Sequence, residues 1–351
     1  MLDLPNFNFD LSKDLLIGIA AGDCLGVTSE FYKFKIEHLY KQYKKLGWPF
    51  QPVGRKKWKF EPGEHTDDTD MAWAIFESVY SLKCFDPVEI ANNFVNWFNT
   101  NPKDIGTTTR NTLEDIKSGT KWNEAGYNFW NNAKESAANG SLMRNGVICG
   151  FTNDLDEAFE MTILHGMITH YGPLPQLCCC AHTWVIFNLL RNNNPLLALD
   201  WIDKFYEDWI NFLKKNNNKC ISEWLNNSTK EEIEKAIKTI ENTEWSHYEF
   251  NPFECDIDKS GGYCVLTLQI AFWAFQWSLE SSDAFIVPKC LLNVEEPFYK
   301  TGVDRLGWIP LIGYDADTYG ATAGPLFVAH YKKLPHGMTS NLQIHEWIKN
   351  L

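Results

Sequence analysis

Two short stretches concentrate the residues that could do chemistry. The first is "EHTDDTDM", residues 64 to 71, where Thr66, Asp67 and Asp68 stand together at the start of an apolar run. Adjacent carboxylates repel each other. Acids at a helix N-terminus favour the macrodipole by roughly 0.3–1 kcal/mol each, which accounts for one or two of them. The second is "GYDADTYGATAGPL", residues 313 to 326, which repeats the chemistry with Asp315, Asp317 and Thr318 ahead of another helix. Hard divalent cations want such oxygens; Mg²⁺ takes about six, at roughly 2.0–2.1 Å. No histidine or cysteine sits among these six positions, which disfavours zinc. Two such sets facing each other would hold two cations, with one aspartate bridging. On spacing alone, a pair of solvated acidic caps competes with that reading.

A third stretch, "GIAAGDCLGVTSEF", residues 18 to 31, spaces Gly18, Gly22 and Gly26 four apart and ends on Glu30. That spacing predicts a helix packed closely on a neighbour. Glu30 should follow on a loop, where an ordinary surface acid is the plain alternative. Gly320, Ala321, Ala323 and Gly324 likewise leave a helix backbone open to close approach.

The elements that must carry these residues read as helices. Met71, Ala74, Ile75, Ser78, Val79 and Leu82 recur at three- and four-residue steps, one helix face. Further helical patterns cover 12–22, 88–98, 155–169, 175–191, 197–214, 229–241, 262–279 and 318–333. Strand patterns are few and there is no internal repeat. The Asn-rich region 191–250 reads as a peripheral elaboration of one domain spanning 1–351, with a helix starting around Ser228 to Glu231.

The chain has 351 residues, 44% of them hydrophobic and 15% aromatic, enough for one large core. Its net charge of −13 argues against nucleic acid or an anionic membrane as the main partner. Ten cysteines form no paired CxxC framework. Cys178, Cys179 and Cys180 are contiguous in an apolar run and read as small core fillers, a usage suited to a reducing compartment. The N-terminus shows no secretory signal. The run Tyr263 to Leu279 is interrupted by Thr267, Gln269 and Gln276 and reads as a buried helix, not a membrane span. A cytoplasmic monomer is expected.

Taken in order, the blocks resemble the ADP-ribosylglycohydrolase family, whose founding members remove ADP-ribose from modified proteins. "GIAAGDCLGVTSEF" resembles its opening helix and mobile glutamate, and "HTDDTDM" its first metal motif. "DIGTTTRNTL" (104–113) resembles the block that follows, and "NGSLMRNGVI" (139–148) its phosphate- and ribose-binding loop. "GYDADTYGATAGPL" resembles the second metal motif. "ITHYGPLPQLCC" (168–179) and "GGYCVLTLQIAFWAF" (261–275) resemble its Thr-His segment and late core helix. Together they run from about residue 14 to 330.

The resemblance implies an all-α, orthogonal helical fold with two Mg²⁺ ions, or Mn²⁺, at the base of a cleft. It implies metal ligands Thr66, Asp67, Asp68, Asp315, Asp317 and Thr318. Glu30 matches the gating glutamate, with acid–base roles. Asn139, Gly140 and Ser141 match the loop on the diphosphate and distal ribose, and His170 a histidine of the ligand cleft, against a hydrogen-bonded structural histidine. Asp104 matches an acid near the leaving group in arginine-specific members, against a plain turn acid. Two positions depart from the pattern. Tyr314 replaces a small residue, and Pro325 should kink the helix it interrupts.

The implied reaction is metal-assisted hydrolysis at the anomeric carbon of the distal ribose, through an oxocarbenium-like transition state. Asp68 or Asp315 is the candidate base and Glu30 the candidate acid. The partner is an ADP-ribosylated protein or ADP-ribose conjugate, arginine-linked in preference. The alternatives are a crystallin-like ADP-ribose binder without hydrolysis and a hydrolase of another nucleoside or sugar conjugate.

Overall fold

The computed structural model describes all residues except 6, 32–51, 53, 56, 58, 134–136, 193, 196–199, 256, 258–261 and 281–301. The start of the helix expected at 197, Gly261 of the late core block and Cys290 fall outside the described residues. The other described cysteines are all free thiols, and Cys178, Cys179 and Cys180 are buried as expected of core fillers.

The architecture is all-helical. α1 is Phe9–Gly26, α2 Asp67–Leu82, α3 Pro87–Asn99, α4 Thr107–Lys117, α5 Trp122–Ala133, α6 Leu155–Met167 and α7 Pro173–Asn192. Then come α8 Ile202–Lys215, α9 Lys219–Asn227, α10 Lys230–Glu241, α11 Cys264–Ser278, α12 Ala316–Tyr331, α13 His336–Thr339 and α14 Ile344–Lys349. 3₁₀ helices occupy Asn145–Gly150 and Gly302–Leu311. The only named strands among the described residues are the pair Leu2–Asp3 and Cys84–Phe85, joined antiparallel.

The glycine stripe of α1 meets the small-residue stripe of α12, running antiparallel. A Cβ at Gly22 would lie 1.9 Å from the Gly320 carbonyl oxygen, and one at Gly26 2.1 Å from that of Ala316. A Cβ at Gly324 would lie 1.9 Å from the Gly18 oxygen. The two backbones therefore touch along nearly the whole stripe, and this contact brings the end of α1 beside the start of α12. Gly320→Ala puts a methyl 2.1 Å from the Gly22 oxygen. The clash is with backbone, which cannot rotate away. We expect a loss at or beyond the upper end of the usual overpacking cost of about 1–3 kcal/mol, read as a lowered melting temperature. An unchanged melting temperature would show that the pair is not close-packed.

The apolar face of α2 is buried at Met71, Ala74, Ile75, Ser78 and Val79. Leu82 is a correction: it is 45% exposed, because it ends the helix just before Lys83 turns left-handed at φ 55°. At Pro325, α12 does not end but continues to Tyr331. The proline ring fills the space beside Gly146, where a Cβ would come within 2.3 Å of its Cγ. α12 also starts two residues earlier than expected, at Ala316, so Asp317 and Thr318 lie inside its first turn. In the 191–250 region, Thr229 is the cap, one residue past Ser228, in a reciprocal capping box with Glu232. Phe205, Trp209, Phe212, Ile221, Trp224, Ala236 and Ile240 of α8, α9 and α10 join the main core. Phe212 packs on Phe159 with ring centroids 5.5 Å apart, and the Trp224 indole donates to the Tyr171 carbonyl.

Candidate active site

The starts of α2 and α12 and the turn after α1 converge on one cleft of about 540 Å³. Thr66 caps α2 and Asp315 sits at the cap position of α12. Asp68 and Asp317 are therefore each the second residue of a helix. The cleft is lined by Glu30, Asp67, Asp68, Asp104, Asn139, Gly140, His170, Asp315, Asp317 and Thr318, all foreseen, and also by Phe31 and Tyr314. Two foreseen residues stand back from it. The Thr66 hydroxyl lies between Asp68, at 2.9 Å, and Asp23, at 3.1 Å. Ser141 is buried with its hydroxyl 3.4 Å from the Cys179 thiol, so the side chain faces the core.

Asp23 is the chief residue the sequence reading passed over. It is fully buried on α1 and accepts from the backbone N–H groups of Thr66 and Thr69 and from both hydroxyls, the Thr69 one at 2.6 Å. It thus anchors the start of α2 to α1. Burial pushes its carboxyl up to about 6, opposed by His65 and the threonine donors. A charged residue inside the glycine-spaced apolar face was the available signal. His65 points elsewhere: its ring pairs with Asp70 at 3.0 Å and meets Trp347 edge-on.

Glu30 is no surface acid. Only 3% of it is exposed, and its carboxylate lies with those of Asp315 and Asp317, one oxygen of each within 4.8 Å of the others. Its main chain is held independently of its side chain. Glu30 N–H donates to the Gly26 carbonyl, Arg55 donates to the Glu30 carbonyl, and Phe31 N–H donates to the Tyr314 carbonyl. Phe31 and Tyr314 both adopt left-handed conformations, at φ 57° and 55°. Tyr314 lines the cleft and also packs, partly buried, against the core.

The electrostatics are those of an acidic cluster short of counter-charge. Burial, then Asp104, Asp315 and Asp67, push Glu30 up to about 9, with Arg55 opposing. Burial pushes Asp315 up to about 6, tempered by the Asn139 amide, which donates at 2.6 Å. Asp67, Asp68 and Asp317 are raised well above the ordinary carboxylate value by burial first, and then chiefly by Asp104, Asp23 and Glu30 respectively. Asp68 Oδ1 and Asp317 Oδ1 are buried without a hydrogen-bond partner. A buried unpaired carboxylate oxygen is costly, and either a proton or a bound cation relieves it. The two orphaned oxygens belong to the equivalent positions of the two helix starts. The donor set is all oxygen, which fits a hard divalent cation.

Arg144, also passed over, is fully buried behind the Asn139–Gly140 loop, donating to the Gly140 carbonyl at 2.9 Å. Asn139 donates to Thr267 as well as Asp315, tying α11 to the start of α12.

The fold is helical, and its cleft gathers paired acidic helix starts that could hold a metal ion. The chain belongs to the ADP-ribosylglycohydrolase family, whose sequence model matches residues 6–351. It is 26% identical to the ADP-ribosylarginine hydrolase Tri1 of Serratia proteamaculans, over 98% of this chain and 78% of that one. It is 26% identical to the ADP-ribosyl-[dinitrogen reductase] glycohydrolase of Rhodospirillum rubrum, over 52% of this chain and 58% of that one. In fold it matches a chain of an ADP-ribosylglycohydrolase-related protein complex with a TM-score of 0.64, at 20% identity, over 97% of this chain and 95% of that one. Among the described residues no helix is long and apolar enough to cross a membrane.

Proposed function

We infer that the protein removes ADP-ribose from modified protein side chains, arginine-linked in preference, by cleaving the bond at the distal ribose with the aid of two Mg²⁺ or Mn²⁺ ions. The observation that carries this is the pair of orphaned oxygens, Asp68 Oδ1 and Asp317 Oδ1, within a cluster of raised carboxylates. Asp67, Asp68, Asp315, Asp317 and Thr318 would hold the cations, with Thr66 orienting Asp68 from behind. Bound there, the ions supply Lewis-acid stabilisation and a site for the ribose diol.

The chain's own groups do the rest. Glu30 lies in the cleft beside Asp315 and Asp317 and is the candidate to hand a proton to the leaving group. Asp315 or Asp68 takes the proton of the attacking water. Asn139 keeps the Asp315 carboxylate oriented, and Gly140 leaves room for the diphosphate. Asp104 lines the cleft, and of the charges that act on Glu30 its own is the strongest. It is placed to pair with a departing guanidinium. Phe31 and Tyr314 directly adjoin Glu30 and Asp315 in the chain.

The test is release of ADP-ribose from arginine- and serine-linked conjugates in parallel, with Mg²⁺ and with chelator. We expect metal-dependent release, faster from arginine, and an Asp104→Asn variant that loses more on arginine than on serine. Equal losses would remove Asp104 from the leaving-group site. Binding of ADP-ribose without release from either conjugate would make the protein a binder.

A further inference from the structure

The Asn139–Gly140 loop faces the cleft on one side and a buried cation on the other. Arg144 has no exposed surface, yet none of its hydrogen-bond partners is charged. It donates to the Gly140 carbonyl, to the Met71 sulfur at 3.3 Å and to the Thr169 hydroxyl at 2.6 Å, and it lies over the Phe94 ring. A buried guanidinium held by neutral dipoles keeps its charge available to whatever lies beyond them. Burial lowers it only to about 9, so it stays cationic at neutral pH.

The Thr169 hydroxyl is also 2.8 Å from His170 Nδ1. Guanidinium nitrogens only donate, so Thr169 Oγ accepts from Arg144. Its own proton then has one partner in reach, His170 Nδ1. Were Nδ1 itself protonated, the Thr169 O–H would be a buried donor left unmade, at a cost of roughly 1–3 kcal/mol. His170 is held neutral by burial, with Arg144 and His165 adding to the effect. Its proton must then sit on Nε2, which abuts Gly140 in the cleft wall: a Cβ there would lie 3.0 Å from it.

We propose that Arg144 and Thr169 are positioning residues that fix His170 as its Nε2–H tautomer, making it a hydrogen-bond donor for an anionic diphosphate lying against the Gly140 loop. The chain of donors runs in one direction, from guanidinium to hydroxyl to imidazole to cleft. It turns a buried charge into a neutral donor at an otherwise acidic surface. The ligand half of this proposal rests on the function proposed above; the tautomer does not.

The experiment uses the full chain. Long-range ¹H–¹⁵N spectra report which ring nitrogen of His170 is protonated, and calorimetry reports ADP-ribose affinity. The wild type should show the Nε2–H form. Thr169→Val removes the relay hydroxyl at nearly constant shape; it should lose that form and bind ADP-ribose about 10- to 100-fold more weakly, the worth of one hydrogen bond to a charged group. In turnover the loss should fall on KM more than on kcat. Thr169→Ser, which keeps a hydroxyl, should restore both. A melting-temperature rise with Mg²⁺ in Thr169→Val shows that the metal cluster is intact. An Nδ1–H or protonated His170 in the wild type overturns the relay with no variant needed. A lost tautomer with unchanged ADP-ribose affinity overturns the donor role. Absence of ADP-ribose binding by the wild type overturns the ligand half together with the function proposed above, and the spectrum still decides the tautomer.

Discussion

Asp317→Asn should abolish turnover while leaving a folded protein that, without metal, melts no lower than the wild type. Asp317 is 2% exposed, one of its oxygens has no partner, and Glu30, Asp68 and Asp315 all act on it as like charges. An amide removes that repulsion and its desolvation cost, so the metal-free fold gains. It also removes one cation ligand. Substituting even groups that only support ligands costs about 10–100-fold in metal affinity, and a ligand itself should cost more. The wild type should gain stability on adding Mg²⁺, by about 2.7 kcal/mol at a concentration 100 times the Kd, and the variant should gain little. Undiminished turnover in Asp317→Asn, or in wild type held in excess chelator, would sink the metal assignment.

The same cluster sets the pH dependence of the metal-free protein. Every carboxyl at issue is raised in the folded state, so between its ordinary value near 4 and its folded value the fold holds more protons than the unfolded chain. Stability from these groups is present in full below about pH 4 and is lost as pH climbs through about 6, for Asp315 and Asp23, and about 9, for Glu30. In chelator, the melting temperature should fall from pH 5 to pH 9. Mg²⁺ competes with those protons, so its stabilising effect should grow over the same range.

Most of this cluster was legible because its residue types are improbable where they stand. Asp67 beside Asp68 at the head of an apolar helix, and Asp315 and Asp317 at another, are placements that packing alone does not favour. The glycine stripes were legible for a related reason: four-residue spacing on two helices leaves backbone as the only contact surface, and the two stripes proved to be each other's partner. α4, α5, α9 and the short α13 and α14 were missed. Only Thr109, Thr112 and Leu113 of α4, and Ala125, Gly126 and Trp130 of α5, are buried, too sparse an apolar face for periodicity to register. α9 is nine residues long among asparagines. Asp23 and Arg144 were quoted within recognised blocks yet passed over. Their work is done on backbone groups and hydroxyls distant in sequence, such as Thr66 from Asp23 and Thr169 from Arg144, and one chain read linearly does not show such pairings. The family loop was legible as Asn139, Gly140 and Ser141, but not which of them turns inward. Ser141 does, because its neighbour on α7 is the Cys179 thiol.

Glu30→Gln should fold normally and lose about 10²- to 10⁴-fold in turnover, the usual contribution of a positioned acid or base. The fold should survive because the hydrogen bonds that hold this turn are made by main chain. The Glu30 N–H binds Gly26, the Glu30 carbonyl receives Arg55, and the Phe31 N–H binds Tyr314. Glutamine keeps the shape and removes the proton. It also removes one member of the Glu30, Asp315 and Asp317 cluster, so lost turnover alone leaves two explanations, a missing acid and a weakened metal site. The leaving group separates them. An alcohol or guanidine must be protonated as it departs, whereas an acidic phenol need not be. If Glu30 is the acid, Glu30→Gln should retain most of its activity on an aryl ADP-ribose conjugate with a phenolate leaving group, at saturating Mg²⁺, while failing on the protein-linked one. An equal loss on both substrates would strip Glu30 of the acid role and leave it as a cation ligand. Full activity on both would return it to the status of an ordinary acid, and its burial beside Asp315 and Asp317 would then need a different cause.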